Sequence, residues 1–232
     1  MFGYCKKHDK SFSGPPGTVC PGCAEESLNH TEKQWRVGGL DLAKVHDYTA
    51  MVELDVRFHH AKVVSVKVWP HTDYSIIIAD VTRRYHAVDM ELIGVDATSG
   101  SVGDPIAEML RKNGVHTDDI KFGEYVEYTN PWGIREHASV KYAMVEYARA
   151  CGQSGFVEIH DGPNTAELKR QMSEQYIKNS DSERTTYSHP ESRHDDLFWA
   201  FLINLYVSRR YITGTSGWIK AAEELAGKSI LV

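Results

Sequence analysis

The sequence lacks three features that would each place it in a familiar class. It contains no run of about 18 apolar residues, so we expect no membrane-spanning helix. Its first ten residues lack the apolar core of a signal peptide, which predicts a cytoplasmic protein that is not secreted. It also lacks a phosphate-binding loop (Gly-x-x-x-x-Gly-Lys followed by Ser or Thr), which argues against ATP hydrolysis by this chain.

Cysteine is scarce, but its placement is informative, because three of the four cysteines lie within the first 23 residues. Cys5 and His8 form one pair with a two-residue gap, and Cys20 and Cys23 form a second. Two such pairs match the ligand spacing of a tetrahedral Zn²⁺ site. Residues 1–34 are also poor in large apolar side chains, so a structural zinc would supply folding energy that a core cannot. We therefore predict a zinc-binding ribbon or knuckle over 1–34.

Positive charge is not in excess either, since the net charge is −6. A nucleic-acid-binding protein usually has a basic face. A site built from several carboxylates, however, makes a chain acidic until cations neutralise it. The net charge therefore neither supports nor excludes DNA as a partner.

From Trp35 onward the pattern is that of a packed α/β domain. Residues 37–43 are almost all apolar or small, as expected for a strand buried on both faces, and alternating runs at 50–58 and 64–68 predict two further strands. A helix (73–89) and a short strand ending at Asp96 follow. Further along, the pattern predicts a strand at 122–128, a long helix soon after Pro131 that includes Ala138, and a small helix at 217–226, among other alternating helices and strands. This order predicts one mixed sheet of five or more strands with helices on both faces, occupying 35–232. The stretch from Leu197 to Val207 is apolar except at Asn204 and predicts a buried helix.

Acidic residues occupy unusual positions in these elements. Asp41 lies within the first central strand, Asp96 ends the fourth, and Asp195-Asp196 open the buried helix. Each has an ordinary structural explanation: a pair with Lys44 for Asp41, a turn for Asp96, and a helix cap for one of the two adjacent acids. Strand four should nevertheless lie parallel to strand one, so that their carboxyl ends form a shared crevice.

Together these acids predict a divalent-metal site. Carboxylate oxygens suit Mg²⁺ or Mn²⁺, and two such ions about 4 Å apart can stabilise the attacking and leaving oxygens of a phosphoryl displacement.

Three ordered motifs also resemble those of viral and phage terminase large-subunit nucleases, which have an RNase H-like fold. They are Gly39-Leu40-Asp41 with Asp47-Tyr48-Thr49, then Val95-Asp96-Ala97-Thr98-Ser99-Gly100, and His194-Asp195-Asp196-Leu197-Phe198-Trp199-Ala200. The resemblance covers about residues 35–210 and implies an endonuclease that cuts double-stranded DNA with two Mg²⁺ or Mn²⁺ ions. It implies Asp41, Asp96 and Asp196 as the main metal ligands, with Asp195 and Asp47 as auxiliary ligands or as groups that orient them. It leaves open which of Asp195 and Asp196 faces the metal.

The same resemblance suggests a place and partners for the protein. The place would be the cytoplasm of the infected host cell, and the candidate partners are a packaging ATPase, a portal protein or a small terminase subunit, with no membrane involved. Two other interpretations stay open: a Holliday-junction resolvase or transposase-like nuclease of the same fold, and a non-catalytic zinc-ribbon adaptor that binds DNA or packaging proteins.

Overall fold

A computed structural model of the chain describes residues 2–5, 10–13, 34–42, 48–57, 60–98, 103–129, 135–179, 185–188, 190 and 194–212. Its strands are β1 (Phe2–Cys5), β2 (Lys10–Ser13), β3 (Trp35–Asp41), β4 (Tyr48–Arg57), β5 (His60–Pro70), β6 (Leu92–Asp96), β7 (Thr117–Ile120), β8 (Tyr125–Thr129), β9 (Arg135–Ser139), β10 (Val157–Glu158), β11 (Tyr176–Asn179) and β12 (Thr185–Ser188). Its helices are α1 (Tyr74–Ala87), α2 (Gly103–Lys112), α3 (Val140–Gln153), α4 (Pro163–Ser173) and α5 (Asp196–Ile212).

Six strands form the central sheet, in the order β10-β5-β4-β3-β6-β7. The three consecutive strands β3, β4 and β5 are antiparallel neighbours, whereas β6 lies parallel to β3 and β7 parallel to β6. This mixed sheet with helices on both faces confirms the predicted fold class. Strand β3 is central, so a residue at its carboxyl end lies between those of two neighbours.

The sheet separates two apolar cores. On one face, α1 and α2 pack over side chains such as Leu40, Ile93 and Val95. On the other face, the buried helix α5 packs over alternate residues of the same strands, such as Val37 and Leu92. Residues 197–208 of α5 are all buried, as the apolar run from Leu197 to Val207 predicted.

Helix α5 lies unusually close to the sheet because glycines replace side chains beneath it. A Cβ atom on Gly39 would lie 2.1 Å from the carbonyl oxygen of Ala200, and one on Gly94 would lie 2.7 Å from a methyl carbon of Ile203. The buried amide of Asn204 then donates hydrogen bonds to the carbonyl oxygens of Val37 (2.8 Å) and Val52 (2.7 Å). These bonds fix where α5 sits along β3.

The first turn of α5 is capped by a side chain from another helix. Gln171 of α4 is buried, and its Oε1 accepts hydrogen bonds from the backbone N–H groups of Leu197 (2.9 Å) and Phe198 (3.1 Å). Two of the N–H groups that a helix start leaves unsatisfied are thereby paired. The acidic residues at the start of α5 are therefore held by the sheet and by α4.

Three strand assignments differ from the sequence-based prediction. The sheet's last strand is β7 at Thr117–Ile120, which the sequence pattern does not predict, because Asp118 and Asp119 break the apolar alternation. The strand expected at 122–128 is instead β8, which pairs with β9 in a separate two-stranded sheet. Because β9 occupies Arg135–Ser139, the helix expected soon after Pro131 begins only at Val140. There the Ser139 side chain accepts a hydrogen bond from the Tyr142 N–H. Strands β11 and β12 form another such pair.

The predicted zinc-binding segment lies largely outside the described residues. The backbones of β1 and β2 pair antiparallel within it, and β1 ends at Cys5, but His8, Cys20 and Cys23 are not among the residues described. The small helix expected at 217–226 also lies outside them. None of the described helices is long and apolar enough to cross a membrane.

Candidate active site

Asp41 and Asp96 lie side by side at the carboxyl ends of β3 and β6. The parallel register pairs Leu40 with Val95, so the two aspartates occupy the next position on each strand. Neighbouring strands are about 4.8 Å apart, and side chains alternate between the two faces. Because Leu40 and Val95 both point to the core under α1 and α2, both aspartates point to the opposite face, which α5 covers.

Helix α5 brings its first residues to the same place. Ala200 and Asn204 contact β3 at Gly39, and Asn204 also bonds to Val37, so the helix runs antiparallel to β3. One helical turn before Ala200 is about 5.4 Å back along the axis, and Asp41 is about 6.6 Å beyond Gly39 along the strand. The start of α5, where Asp196 stands four residues before Ala200, therefore lies beside Asp41.

A lysine that the sequence analysis did not assign to the site lies among these acids. Lys141, the second residue of α3, is partly buried, and burial lowers the pKa of its ammonium group below the ordinary value. The negative charges of three carboxylates counter part of that effect, in the order Asp195, Asp41 and Asp96. The same cation is thus within electrostatic range of one acid from each of the three motifs.

Trp199 connects Lys141 to Asp195. Its indole Nε1–H donates to Asp195 Oδ2 at 2.7 Å, and the Lys141 Nζ lies 4.2 Å from the ring centroid. The backbone N–H of Trp199 also donates to the carbonyl oxygen of Asp195 at 3.0 Å, so Asp195 and Trp199 are joined twice across the first turn of α5. The face of a tryptophan ring attracts an ammonium group electrostatically. Asp195 and Lys141 are consequently held as one unit.

Asp96 shapes the turn that follows β6, as its structural explanation anticipated. Its Oδ1 accepts bonds from the Thr98 N–H (2.9 Å) and from the Thr98 hydroxyl (2.5 Å). Both bonds use one oxygen, so this turn leaves Oδ2 for another partner.

The adjacent acids Asp195 and Asp196 have different surroundings. Asp196 is buried, and its Oδ2 lies 3.6 Å from His194 Nδ1. The His194 ring is in turn stacked on Tyr48 with a centroid distance of 4.4 Å. Asp195 therefore faces Lys141 and Trp199, whereas Asp196 lies beside the imidazole.

The carboxylates of this site suit a hard divalent cation, although they are not arranged around one. Carboxylates are the ligands that Mg²⁺ and Mn²⁺ prefer. Over the ranges that the structure describes, no three His, Cys, Asp or Glu side chains are arranged to hold a metal ion as they stand. Asp47, the predicted auxiliary ligand, lies outside those ranges.

One signal in the sequence could have identified Lys141. A lysine in the first turn of a helix opposes the helix dipole, and α3 has no acidic residue in that turn. Such a cation needs anionic neighbours from elsewhere in the fold, but the sequence does not say which ones.

The mixed sheet with acidic residues at the ends of β3 and β6 and at the start of α5 defines an RNase H-like domain. Residues 38–205 match the family model "Terminase RNaseH-like domain", and the chain belongs to that family.

Solved structures of phage proteins show the same fold. The large terminase nuclease from thermophilic phage G20c is similar with a TM-score of 0.60 and 17% identity, covering 76% of this chain and 83% of that one. The nuclease domain from Thermus phage P74-26 has a TM-score of 0.56 and 16% identity, covering 74% and 78%. A large terminase from another thermophilic bacteriophage has a TM-score of 0.55 and 9% identity, and the match covers 75% of this chain but 39% of that protein. No curated protein sequence matches the chain.

Proposed function

We propose that this protein is a divalent-metal-dependent endonuclease that cuts double-stranded DNA during viral genome packaging. The proposal is supported by the position of Asp41 and Asp96 at the ends of the adjacent parallel strands β3 and β6, on the face that α5 covers with its first residues. Acids so far apart in sequence converge in this way when a fold is built to hold positive charge at that point.

Asp41, Asp96 and Asp196 are the proposed main metal ligands, because Asp196 stands one helical turn before Ala200, on the face of α5 that packs against Gly39. Asp195, which accepts a hydrogen bond from Trp199, and Asp47 are proposed as further ligands or as groups that orient the first three. Two bound Mg²⁺ or Mn²⁺ ions would activate a water for attack and stabilise the departing 3′ oxygen. Structures of the G20c nuclease with bound magnesium or cobalt support a divalent ion in this fold.

The first test is a substrate panel with the full chain. We expect cleavage of linear duplex and plasmid DNA in Mg²⁺ or Mn²⁺, and none in EDTA. A strong preference for four-way junctions, together with a dimer on a sizing column, would favour a resolvase instead. DNA binding without cleavage in either ion would favour the non-catalytic adaptor.

A structural zinc held by Cys5, His8, Cys20 and Cys23 is a separate part of the proposal. It rests on the ligand spacing and on the small number of core-forming residues in this segment. We expect about one zinc per chain by elemental analysis of protein purified without chelator, and its loss in Cys20→Ser. Cys151→Ser is the matched control, because Cys151 is buried in α3 and burial raises the pKa of its thiol to about 12. Equal zinc content in both variants would refute the assignment.

The proposed setting is the cytoplasm of the infected host cell, and the proposed partners are packaging proteins. The large terminase of which the match covers 39% is more than twice as long as the part matched here. The ATP-driven step is therefore proposed to come from a packaging ATPase, alongside a portal protein or a small terminase subunit.

A further inference from the structure

Lys141 is a cation in a position that ordinarily disfavours one. It lies in the first turn of α3, where the helix dipole repels positive charge, and it packs against Trp199. A partly buried ammonium group needs negative partners close by. The carboxylates of Asp195, Asp41 and Asp96 supply negative charge around it, and each of them raises the pKa that burial lowers.

The surrounding contacts fix Lys141 relative to two of these acids. Toward Asp195, the link is the Trp199 indole, which bonds the carboxylate and carries the ammonium group on its face. Toward Asp96, the link is a chain of hydrogen bonds. The Lys141 N–H donates to the Phe122 carbonyl oxygen (3.3 Å), the Phe122 N–H to the Thr98 hydroxyl (3.3 Å), and that hydroxyl to Asp96.

The two links meet at an aromatic contact. The ring of Phe122 lies 5.3 Å from that of Trp199, between centroids. Lys141 is therefore built into the acidic cluster by its backbone as well as by its charge.

We propose that Lys141 is the internal counter-ion of the acidic cluster and competes directly with divalent metal ions for it. The inference rests on the proposed function, because it concerns the same carboxylates. A divalent ion that enters must either displace the ammonium group or bind beside it against its repulsion. At the low effective dielectric of a partly buried site, either route weakens metal binding substantially.

The test is the affinity of the full-length protein for Mn²⁺ without DNA, measured by isothermal titration calorimetry. Lys141→Met keeps the apolar stem against Trp199 and removes the charge, and Lys141→Gln is a second variant with a polar end. We expect both to bind Mn²⁺ about tenfold more tightly than the wild type, or better. Lys112→Met is the matched control, because Lys112 is exposed at the end of α2 and pairs with Glu108. Circular dichroism and melting curves without metal establish that each variant is folded.

A double variant ties the measured ion to this site, since Asp41→Asn in the Lys141→Met background should abolish the added affinity. Unchanged or weaker Mn²⁺ binding in both folded Lys141 variants would overturn the inference. In that case, if the wild type still binds Mn²⁺ in an Asp41-dependent manner, the proposed function stands and only the inference about Lys141 fails. Lys141 would then have a different task, such as contact with a DNA phosphate. If neither the wild type nor the Lys141 variants bind Mn²⁺, the inference and the metal assignment fail together.

Discussion

Replacement of Asp41 by asparagine should lower the rate of Mg²⁺-dependent DNA cleavage by about 10³-fold or more, which corresponds to about 4 kcal/mol of transition-state stabilisation. Asn has nearly the same shape, so the strand should pair as before, but it removes a carboxylate from the point where β3, β6 and α5 meet. The measurement is single-turnover cleavage of linear duplex DNA, with circular dichroism to establish that the fold is intact.

Asp89→Asn is the matched control for that experiment. Asp89 is exposed in the turn between α1 and β6, at the end of the sheet away from the site. Its φ is +50°, in a region that Asn tolerates as well as Asp does, so the substitution introduces no strain. We expect wild-type cleavage and stability from this variant. Normal cleavage by Asp41→Asn in Mg²⁺ would remove the basis of the nuclease assignment.

The acidic motifs could be recognised from the sequence because each stands beside a strong local signal. Asp41 interrupts an apolar strand, Asp96 ends one, and Asp195-Asp196 precede a long apolar run. The proximity of Asp41 and Asp96 followed from a general rule, namely that adjacent parallel strands end together.

The choice between Asp195 and Asp196 could not be read from the sequence. Adjacent helix positions differ by about 100° around the axis, so only the packing of α5 decides which side chain faces the cluster. In the structure Asp196 stands four residues before Ala200, on the face of α5 that packs against Gly39, whereas Asp195 accepts a hydrogen bond from Trp199.

Lys141 illustrates a different limit on what the sequence can predict. Its neighbours come from β3, β6 and α5, and α3 is brought to them through β9 and the Phe122 backbone. From the sequence, residues 135–139 are expected to belong to the helix, because the alternation in Arg135–Ser139 is mostly polar and gives little strand signal. The end of a strand was therefore taken for helix, and the first turn of α3 could not be identified as the place where Lys141 stands.

The close approach of α5 to the sheet makes Gly39 a second decisive position. In Gly39→Ala, the added Cβ would lie 2.1 Å from the Ala200 carbonyl oxygen and 2.5 Å from the Asn204 backbone nitrogen. Both are backbone atoms of a packed helix and cannot rotate away, so α5 must move. We expect the variant to lose about 3 kcal/mol of unfolding free energy, which lowers the melting temperature by about 10 °C.

The displacement should also affect cleavage at temperatures where the variant is fully folded. Moving α5 carries Asp195 and Trp199 away from Asp41, so cleavage should fall even though no acidic residue has changed. Gly152→Ala is the matched control, because a Cβ there meets nothing within 4 Å and the residue lies in α3. It should gain about 0.5–1 kcal/mol of stability from helix propensity and cleave normally. Calorimetric melting measures the loss of stability, and a cleavage assay at about 25 °C measures the loss of activity. A Gly39→Ala protein as stable and active as the wild type would show that α5 does not position the acids.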